Sequence, residues 1–249
     1  MLNISWDPVL IALSYLVAFI ASFVALDSAG KIPLSSRKTA MFWRIAGGVT
    51  LGIGIWSMHF IGMLSMQMPM IMSYTLWLTL ASLGVAVVAS TVAINIAVTG
   101  KTLSLFRLIV ATVLLSAGVV CMHFIGMAAL MLDSHILWDR RIIAVSVLIA
   151  VMASGAALWL AFRLRDMRKG VFINRILAAC VLGVAICAMH YTGMRSAHFQ
   201  EMTHTLPGGI SELGLSVWVS VTTLCLLGGM LMISLLSLIH ISEPTRRRG

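Results

Sequence analysis

The chain has 249 residues, of which 60% are apolar and only 10% are charged. A soluble globular domain usually carries about 25% charged residues, so this composition excludes an ordinary soluble protein. No sustained alternation of apolar and polar residues is present, which excludes a transmembrane β-barrel. The N-terminal residues lack both a basic segment and a small-residue cleavage site, so no cleaved signal peptide is expected.

Seven apolar segments are long enough to cross a bilayer, whose hydrocarbon core needs roughly 20 residues of helix. They are predicted at residues 9–26, 45–66, 76–98, 108–132, 142–162, 176–197 and 213–235. Because the connections between them are short, successive helices are expected to pack antiparallel in one compact domain. The sequence therefore predicts an all-α integral membrane protein with seven transmembrane helices.

The net charge of +9 is distributed unevenly along the chain. Most basic residues lie between segments one and two, three and four, or five and six. By the positive-inside rule, the N-terminus is expected outside and the end of the seventh helix in the cytoplasm. The basic residues are interpreted as topology signals and headgroup contacts, and no nucleic-acid partner is predicted. Asp27 and Asp133 flank segments and are predicted to lie at the membrane interface.

A seven-residue motif occurs three times, as SMHFIGM at 57–63, CMHFIGM at 121–127 and AMHYTGM at 188–194. Self-similarity at a spacing of about 65 residues predicts three copies of one structural unit. Each unit is one helix pair, with the motif on its second helix. The three motifs are therefore expected at the same depth, near the outer ends of segments two, four and six.

The motif has the chemistry of a soft metal site. A histidine within a membrane helix is costly unless it is paired or faces a cavity. On a helix, the Met four residues after the His lies on the same face, and the intervening Gly permits a close approach. Imidazole and thioether ligands together favour copper, and thioether favours Cu(I), whereas carboxylate ligands for Mg²⁺ or Ca²⁺ are missing. The alternative is that each histidine forms only a packing hydrogen bond.

Other residues near the outer ends of the segments allow two interpretations. Four methionines around Pro69 form either a copper-acquisition segment or ordinary apolar packing; they are Met66, Met68, Met70 and Met72. Three further histidines are either accessory ligands or solvated residues; they are His135, His198 and His204. Cys121 and Cys187 lie close to motif histidines, and a ligand role stays open for both.

The third motif contains Met189-His190-Tyr191-Thr192, and the three copies together resemble the bacterial MHYT domain. The resemblance implies a membrane sensor that binds copper through motif Met and His residues and senses oxygen, carbon monoxide or nitric oxide. Tyr and Thr occur only in the third copy, since Phe and Ile replace them in the first two. The ligands that the resemblance implies are Met58, His59, Met63, Met122, His123, Met127, Met189, His190 and Met194.

The predicted function is a sensory input module with no enzymatic activity of its own. The resemblance implies a cytoplasmic output partner, such as a cyclic-di-GMP enzyme or a histidine kinase, in addition to the lipid bilayer; a homodimer is left open. One alternative is a copper or cation transporter, which needs a polar path through the inner halves of the helices. A second alternative is a membrane haem protein that uses two of the histidines as axial ligands.

Residues 236–246 read LSLIHISEPTR, which resembles the in-frame translation of a transposon-end adapter used to prepare sequencing libraries. On this interpretation, residues 1–235 are the native seven-helix domain and residues 236–249 are not native. The native gene is then expected to continue past Leu235 into a cytoplasmic signalling domain. The alternative is a genuine basic tail.

Overall fold

A computed structural model of the chain describes residues 5–68, 72–131, 134–165, 171–201 and 209–242. Within these residues, seven helices are long and apolar enough to cross a membrane, which confirms the predicted all-α membrane fold. The first six are α1 (Pro8–Lys31), α2 (Arg37–Leu64), α3 (Leu76–Val98), α4 (Leu105–Ala129), α5 (Arg140–Arg165) and α6 (Val171–Arg195). The seventh consists of α7 (Glu212–Thr223), a π-helical turn (Leu224–Gly228) and α8 (Gly229–Ser242).

The first six helices form a closed ring of three helix pairs. The pairs are α1 with α2, α3 with α4, and α5 with α6. Between pairs, α2 packs against α3, α4 against α5, and α6 returns to α1. The seventh helix packs against α1 and α2. The arrangement is the predicted set of three helix-pair repeats plus one helix.

The same backbone contact joins the two helices of each pair at one end. In each pair, the residue before the first helix donates its N–H to a carbonyl at the end of the second helix. These contacts are Asp7 to Ser65, Thr75 to Ala129 and Asp139 to Ser196, each 2.8 Å long. The two aspartates also cap their helices, because their carboxylates accept hydrogen bonds from N–H groups of the first turn.

Small residues allow the helix backbones to approach closely. Lipid tails are as apolar as the helices, so association within a membrane depends on close packing and on interhelical hydrogen bonds. A Cβ added to Gly52 of α2 would lie 2.6 Å from Cα of Val87 in α3. Between the same two helices, the buried Trp56 indole donates to the backbone oxygen of Thr79 at 3.1 Å. Both contacts fix α2, the first motif helix, against the second pair.

Short antiparallel strands cover the end of the ring that carries the motifs. β1 (Ser5–Trp6) pairs with β2 (Met66–Gln67), β3 (Ser73–Tyr74) with β4 (Leu130–Met131) and β7 (Ile210–Ser211), and β5 (Ser134–Trp138) with β6 (Ala197–Glu201). We term this end the strand face. The opposite end, which holds the α1–α2, α3–α4 and α5–α6 connections, is termed the basic face.

The strands explain why three predicted spans end two or three residues too late. The spans at 45–66, 108–132 and 176–197 run past the helix ends because the chain leaves the helix to enter β2, β4 and β6. Most of these strands have two residues, which is too short for an alternating pattern to be detected in a sequence. Pairing across the strand face satisfies backbone groups that the helices no longer satisfy.

A buried ionic cluster connects the seventh helix to α1 and α6 near the basic face. Asp27, which is 1% exposed, accepts hydrogen bonds from Arg175 Nη1 at 2.6 Å and Lys31 Nζ at 2.7 Å. Lys31 also donates to the backbone oxygen and hydroxyl of Ser234 in α8, at 2.7 and 2.8 Å. The Ser234 hydroxyl in turn donates to Asp27. We term Asp27, Lys31, Arg175 and Ser234 the ionic cluster.

The ionic cluster was not predicted from the sequence. Asp27 is enclosed by protein near the basic face, where α1 continues to Lys31, and its depth relative to the membrane interface stays a prediction. Lys31 and Arg175, interpreted as topology signals, are buried as its counter-charges. Asp133 lies outside the described residues.

Candidate metal centre

The three motif histidines meet inside the ring. His59, His123 and His190 are at most 1% exposed, and their nearest ring nitrogens lie within 4.8 Å of one another. Nδ1 of His59 is 3.0 Å from Nδ1 of His190 and 3.2 Å from Nδ1 of His123. Each histidine precedes the end of its helix by five or six residues, roughly 8 Å along the axis. The three motifs were predicted to lie at equal depth in the membrane, and their histidines were therefore expected to converge. The structure brings these histidines together.

Each imidazole packs on the motif glycine of another repeat. A Cβ added to Gly126 would lie 2.2 Å from Nε2 of His59. The equivalent distances are 2.5 Å from Gly193 to His123 and 2.3 Å from Gly62 to His190. The contacts run from the first repeat to the second, from the second to the third, and from the third back to the first. Because the motif glycine has no side chain, it leaves room for the histidine ring of a neighbouring repeat.

The spacing of the Nδ1 atoms is close to that of ligands around one metal ion. Imidazole nitrogens about 2.0–2.1 Å from a metal lie about 3.3–3.6 Å apart in tetrahedral or trigonal arrangements. The observed distances of 3.0 and 3.2 Å are shorter by a few tenths of an ångström. Small outward rotations of the rings would therefore accommodate an ion at the centre.

We term His59, His123 and His190 the triad. The hydrogen bonding of the triad also fits a cation. A neutral imidazole has one N–H and one nitrogen lone pair. Nδ1 of His59 faces two other Nδ1 atoms, and it cannot form a full hydrogen bond with both. All three Nε2 atoms are buried without a hydrogen-bond partner within the described part of the chain. A cation would accept one lone pair from each Nδ1 and so satisfy the inward-facing nitrogens together.

The six motif methionines are all buried. They lie on the three helices that carry the triad and are Met58, Met63, Met122, Met127, Met189 and Met194. Met189 lines a cavity on the basic-face side of the triad, and its backbone oxygen accepts a hydrogen bond from Ser146 at 2.8 Å. The burial of these side chains is consistent with ordinary packing as well as with ligation. Their role as ligands stays a prediction.

The other candidate ligands are less well placed. Cys121 is exposed on the outer surface of the bundle, so its thiol does not point to the centre. His198 lies in β6, because α6 ends at Arg195 and the helical face of His190 does not continue. The Tyr191 hydroxyl forms a 3.0 Å hydrogen bond with Ser14 Oγ of α1. Cys187 is half-buried on α6.

The methionines of the strand face are largely enclosed. Met66 and Met72 are 1% and 4% exposed, and Met68 packs partly buried against the same core. Pro69 and Met70 lie outside the described residues, as does His204, and the side chain of His135 is not described. A role of this segment in acquiring copper stays a prediction.

An apolar cavity of about 40 Å³ lies along the three motif helices on the basic-face side of the triad. On each motif helix, the cavity is lined by a β-branched residue four positions before the histidine and by a leucine eight positions before it. These two layers are Ile55, Val119 and Ile186, then Leu51, Leu115 and Leu182. An apolar cavity of this kind excludes water more readily than it excludes small apolar molecules. The sequence analysis did not identify this cavity, although the three copies carry matching residues at four and eight places before the histidine.

Replacement of Gly126 by alanine is expected to destabilise the protein by about 1–3 kcal/mol, because the new methyl group would displace the His59 ring. The matched control is Gly84→Ala in α3, where an added Cβ meets no atom within 4 Å. In the control, loss of a helical glycine is expected to be neutral or slightly stabilising. Thermal unfolding of both purified variants compares them, and equal midpoints would contradict the tight histidine–glycine contact.

Comparison with known families accounts for the repeated geometry. The family profile MHYT, described as a bacterial signalling protein N-terminal repeat, matches residues 52–111, 117–173 and 183–239. The chain belongs to the MHYT family. Each matched MHYT segment contains one of the three motif histidines and the helix that follows it. The MHYT unit therefore recurs with the structural repeat but is offset from the helix pairs by one helix, and the resemblance predicted from the three motifs is confirmed.

Three relatives share this MHYT region. The bifunctional diguanylate cyclase/cyclic di-GMP phosphodiesterase MucR of Pseudomonas aeruginosa is 42% identical, over 95% of this chain and 35% of its own length. The signaling protein YkoW of Bacillus subtilis is 32% identical, over 90% of this chain and 28% of its own. The cyclic di-GMP phosphodiesterase NbdA of P. aeruginosa is 34% identical, over 77% of this chain and 24% of its own length. No solved structure is measurably similar.

The chain spans about a third or less of the length of these relatives. The alignment covers the MHYT region, and the enzymatic domains of MucR and NbdA lie outside it. The matched part is thus a membrane signalling module without the enzymatic domains, as the sequence predicted.

Proposed function

We propose that this MHYT domain is a sensory input module that binds one copper ion between His59, His123 and His190. The observation that carries the proposal is the convergence of three buried imidazoles, with Nδ1 of His59 at nearly metal-ligand spacing from the other two Nδ1 atoms. Imidazole is a borderline donor and thioether a soft one, and together they favour copper. The methionines of the motif would supply the thioethers, either as additional ligands or as the apolar wall of the site.

Bound copper would supply an open coordination position for a diatomic molecule and a one-electron redox couple. The protein's own part is to hold three neutral imidazoles inward and to keep water out. The histidine–glycine contacts fix the ring positions, and the layers of Ile, Val and Leu form a dry cavity beside them. Oxygen, carbon monoxide and nitric oxide are small and apolar enough to enter such a cavity. We propose that one of these gases, or the redox state of copper, is the signal.

The ionic cluster offers a route from the metal centre to the seventh helix. α6 carries His190 near the strand face and Arg175 near the basic face. Arg175 binds Asp27 of α1, and Asp27 binds Ser234 of the seventh helix. A shift of α6 on ligand binding would therefore change the position of α8. In relatives named as cyclic-di-GMP enzymes, such a movement would reach an output domain, and we propose the same role for this chain.

The orientation of the module follows from its charges. We propose that the basic face is cytoplasmic and the strand face external in a bacterial inner membrane. Single-cysteine variants in a cysteine-free background test this with a membrane-impermeant maleimide. Arg140→Cys is expected to be labelled in intact cells, whereas Lys101→Cys is expected to be labelled only after lysis. The reverse labelling pattern would invert the topology.

The function is tested by the metal content and optical spectrum of the purified membrane domain. One copper per chain and a spectrum that changes on exposure to carbon monoxide or nitric oxide are expected. A Soret band would instead indicate the haem alternative, with two of the histidines as axial ligands. Copper flux in proteoliposomes would indicate the transporter alternative. The apolar layers next to the triad argue against transport, because an ion crossing them would lose its ligands.

A further inference from the structure

We propose that the basic face contains a binding site for a phosphate group, formed by the α1–α2 connection, α2, the α3–α4 connection and the end of α5. A cavity of about 460 Å³ opens there, within the size range of small-molecule sites. Three basic side chains line it, Arg44, Lys101 and Arg165. No carboxylate is among the described residues of its lining. The site is separate from the metal centre and does not depend on it.

Arg44 is the side chain that most needs a ligand. Its Nε is buried and has no hydrogen-bond partner among the residues that the structure describes. A buried donor without an acceptor costs free energy, and more so when the group is charged. Phosphate oxygens are suitable acceptors because a guanidinium binds them through two parallel hydrogen bonds. Because Arg44 lines the cavity, its guanidinium is placed to donate to a phosphate bound there, with a small rotation needed to bring the buried Nε into contact.

Arg165 holds the wall of the cavity in place. Its guanidinium donates to the backbone oxygens of Val98 at 2.5 Å and Gly100 at 2.8 Å. Gly100 has φ of +81°, a conformation that favours glycine and turns the chain sharply after α3. These contacts fix the backbone from which Lys101 extends to the cavity. Arg165 is thus a positioning residue that also adds positive charge, while Arg44 and Lys101 are the contacts proposed for the ligand.

The depth of the site fits a phospholipid headgroup. α2 begins at Arg37, so Arg44 lies roughly 10 Å along the helix from its start. A helix of 28 residues is longer than the hydrocarbon core, which places its first turns among the headgroups. Basic pockets at this level bind anionic headgroups in other membrane proteins. A soluble phosphate compound has the same recognition chemistry, and the experiment separates the two sources.

The test compares two variants of the full chain in nanodiscs that lose the same charge. Arg44→Met with Lys101→Met removes both proposed contacts. Arg37→Met with Lys38→Met removes two exposed basic residues of the same face that do not line the cavity. Nanodiscs of phosphatidylcholine with and without phosphatidylglycerol supply the lipid arm, read by native mass spectrometry as retained lipid. Titration with inorganic phosphate, read as thermal stabilisation, supplies the soluble arm.

The unaltered protein is expected to retain one phosphatidylglycerol, and the cavity variant to bind it at least tenfold more weakly than the surface variant does. Phosphate stabilisation without lipid retention would assign the site to a soluble ligand. Equal losses in the two variants, or no binding of either probe, would overturn the proposal. If the cavity variant does not fold, Arg44→Lys keeps the charge but lacks the bidentate geometry. It is then expected to bind more weakly than Arg37→Lys, and equal binding would overturn the proposal.

Discussion

Replacement of the three motif histidines by alanine is expected to abolish copper binding. The unaltered domain should carry one copper per chain, and the His59→Ala/His123→Ala/His190→Ala variant should carry none. Each single variant leaves only two imidazoles at the centre, so its affinity should fall by more than the roughly 10–100-fold that loss of an outer-shell partner causes. Metal analysis of the purified protein after equilibration with a Cu(I) chelator of known affinity measures both effects.

The matched control for the triad is His198→Ala. His198 lies in β6 and is not part of the histidine cluster, so copper content should not change. The triple variant leaves cavities beside the motif glycines, so its folding is verified by circular dichroism before its copper content is compared. Full copper content in the folded triple variant would refute the site. Loss of copper in His198→Ala alone would move the site to the strand face.

Replacement of Asp27 by alanine is expected to destabilise the domain by about 3–5 kcal/mol, because Lys31 and Arg175 would remain buried without their counter-charge. The control is Asp139→Ala, which removes a carboxylate that caps a helix at the strand face and should cost about 1 kcal/mol. Unfolding in mixed micelles, followed by circular dichroism, gives both values. Equal destabilisation in the two variants would show that the ionic cluster contributes no more than a helix cap.

A second experiment separates the stability of the ionic cluster from its proposed role in transmission. Replacement of the three charged residues of the cluster by apolar ones, as Asp27→Leu/Lys31→Met/Arg175→Met, should restore most of the stability, since buried ion pairs are often no better than apolar packing. If the cluster carries the signal, this stable variant should still bind copper. A spin label on α8 should then no longer respond to ligand. An unchanged response would exclude transmission through the cluster.

The features of this fold that could be predicted are those whose sequence patterns recur along the chain. Three copies of Met-His-x-x-Gly-Met at nearly equal spacing determine which helices carry the motif, their common direction and their common depth. Long apolar segments determine the number of spans. Equal depth and a shared helical face then make convergence of His59, His123 and His190 the natural arrangement, because a polar group in a membrane has few other partners.

The features that the sequence did not predict depend on contacts between distant residues. The motif glycines were expected to permit a close approach, but nothing in the order of residues indicates that His59 packs on Gly126 and not on its own Gly62. Asp27 lies 148 residues from Arg175 and 207 from Ser234, so only the closed ring reveals the cluster. The four-residue spacing of Asp27 and Lys31 was the one local signal of an ion pair within a helix.

The cyclic order of the histidine–glycine contacts determines when the metal centre can form during synthesis. Each repeat contributes an imidazole to one neighbour and a recess to the other, so the first two repeats together complete only one contact of three. His123 and His190 obtain their partners only after α6 has entered the membrane. A nascent chain that stops before that point lacks His190 and leaves the His123 ring without its glycine contact. If copper binds as proposed, its acquisition would be a late step of biogenesis, and a ribosome-bound chain should become copper-competent once residues up to Arg195 have left the insertion channel.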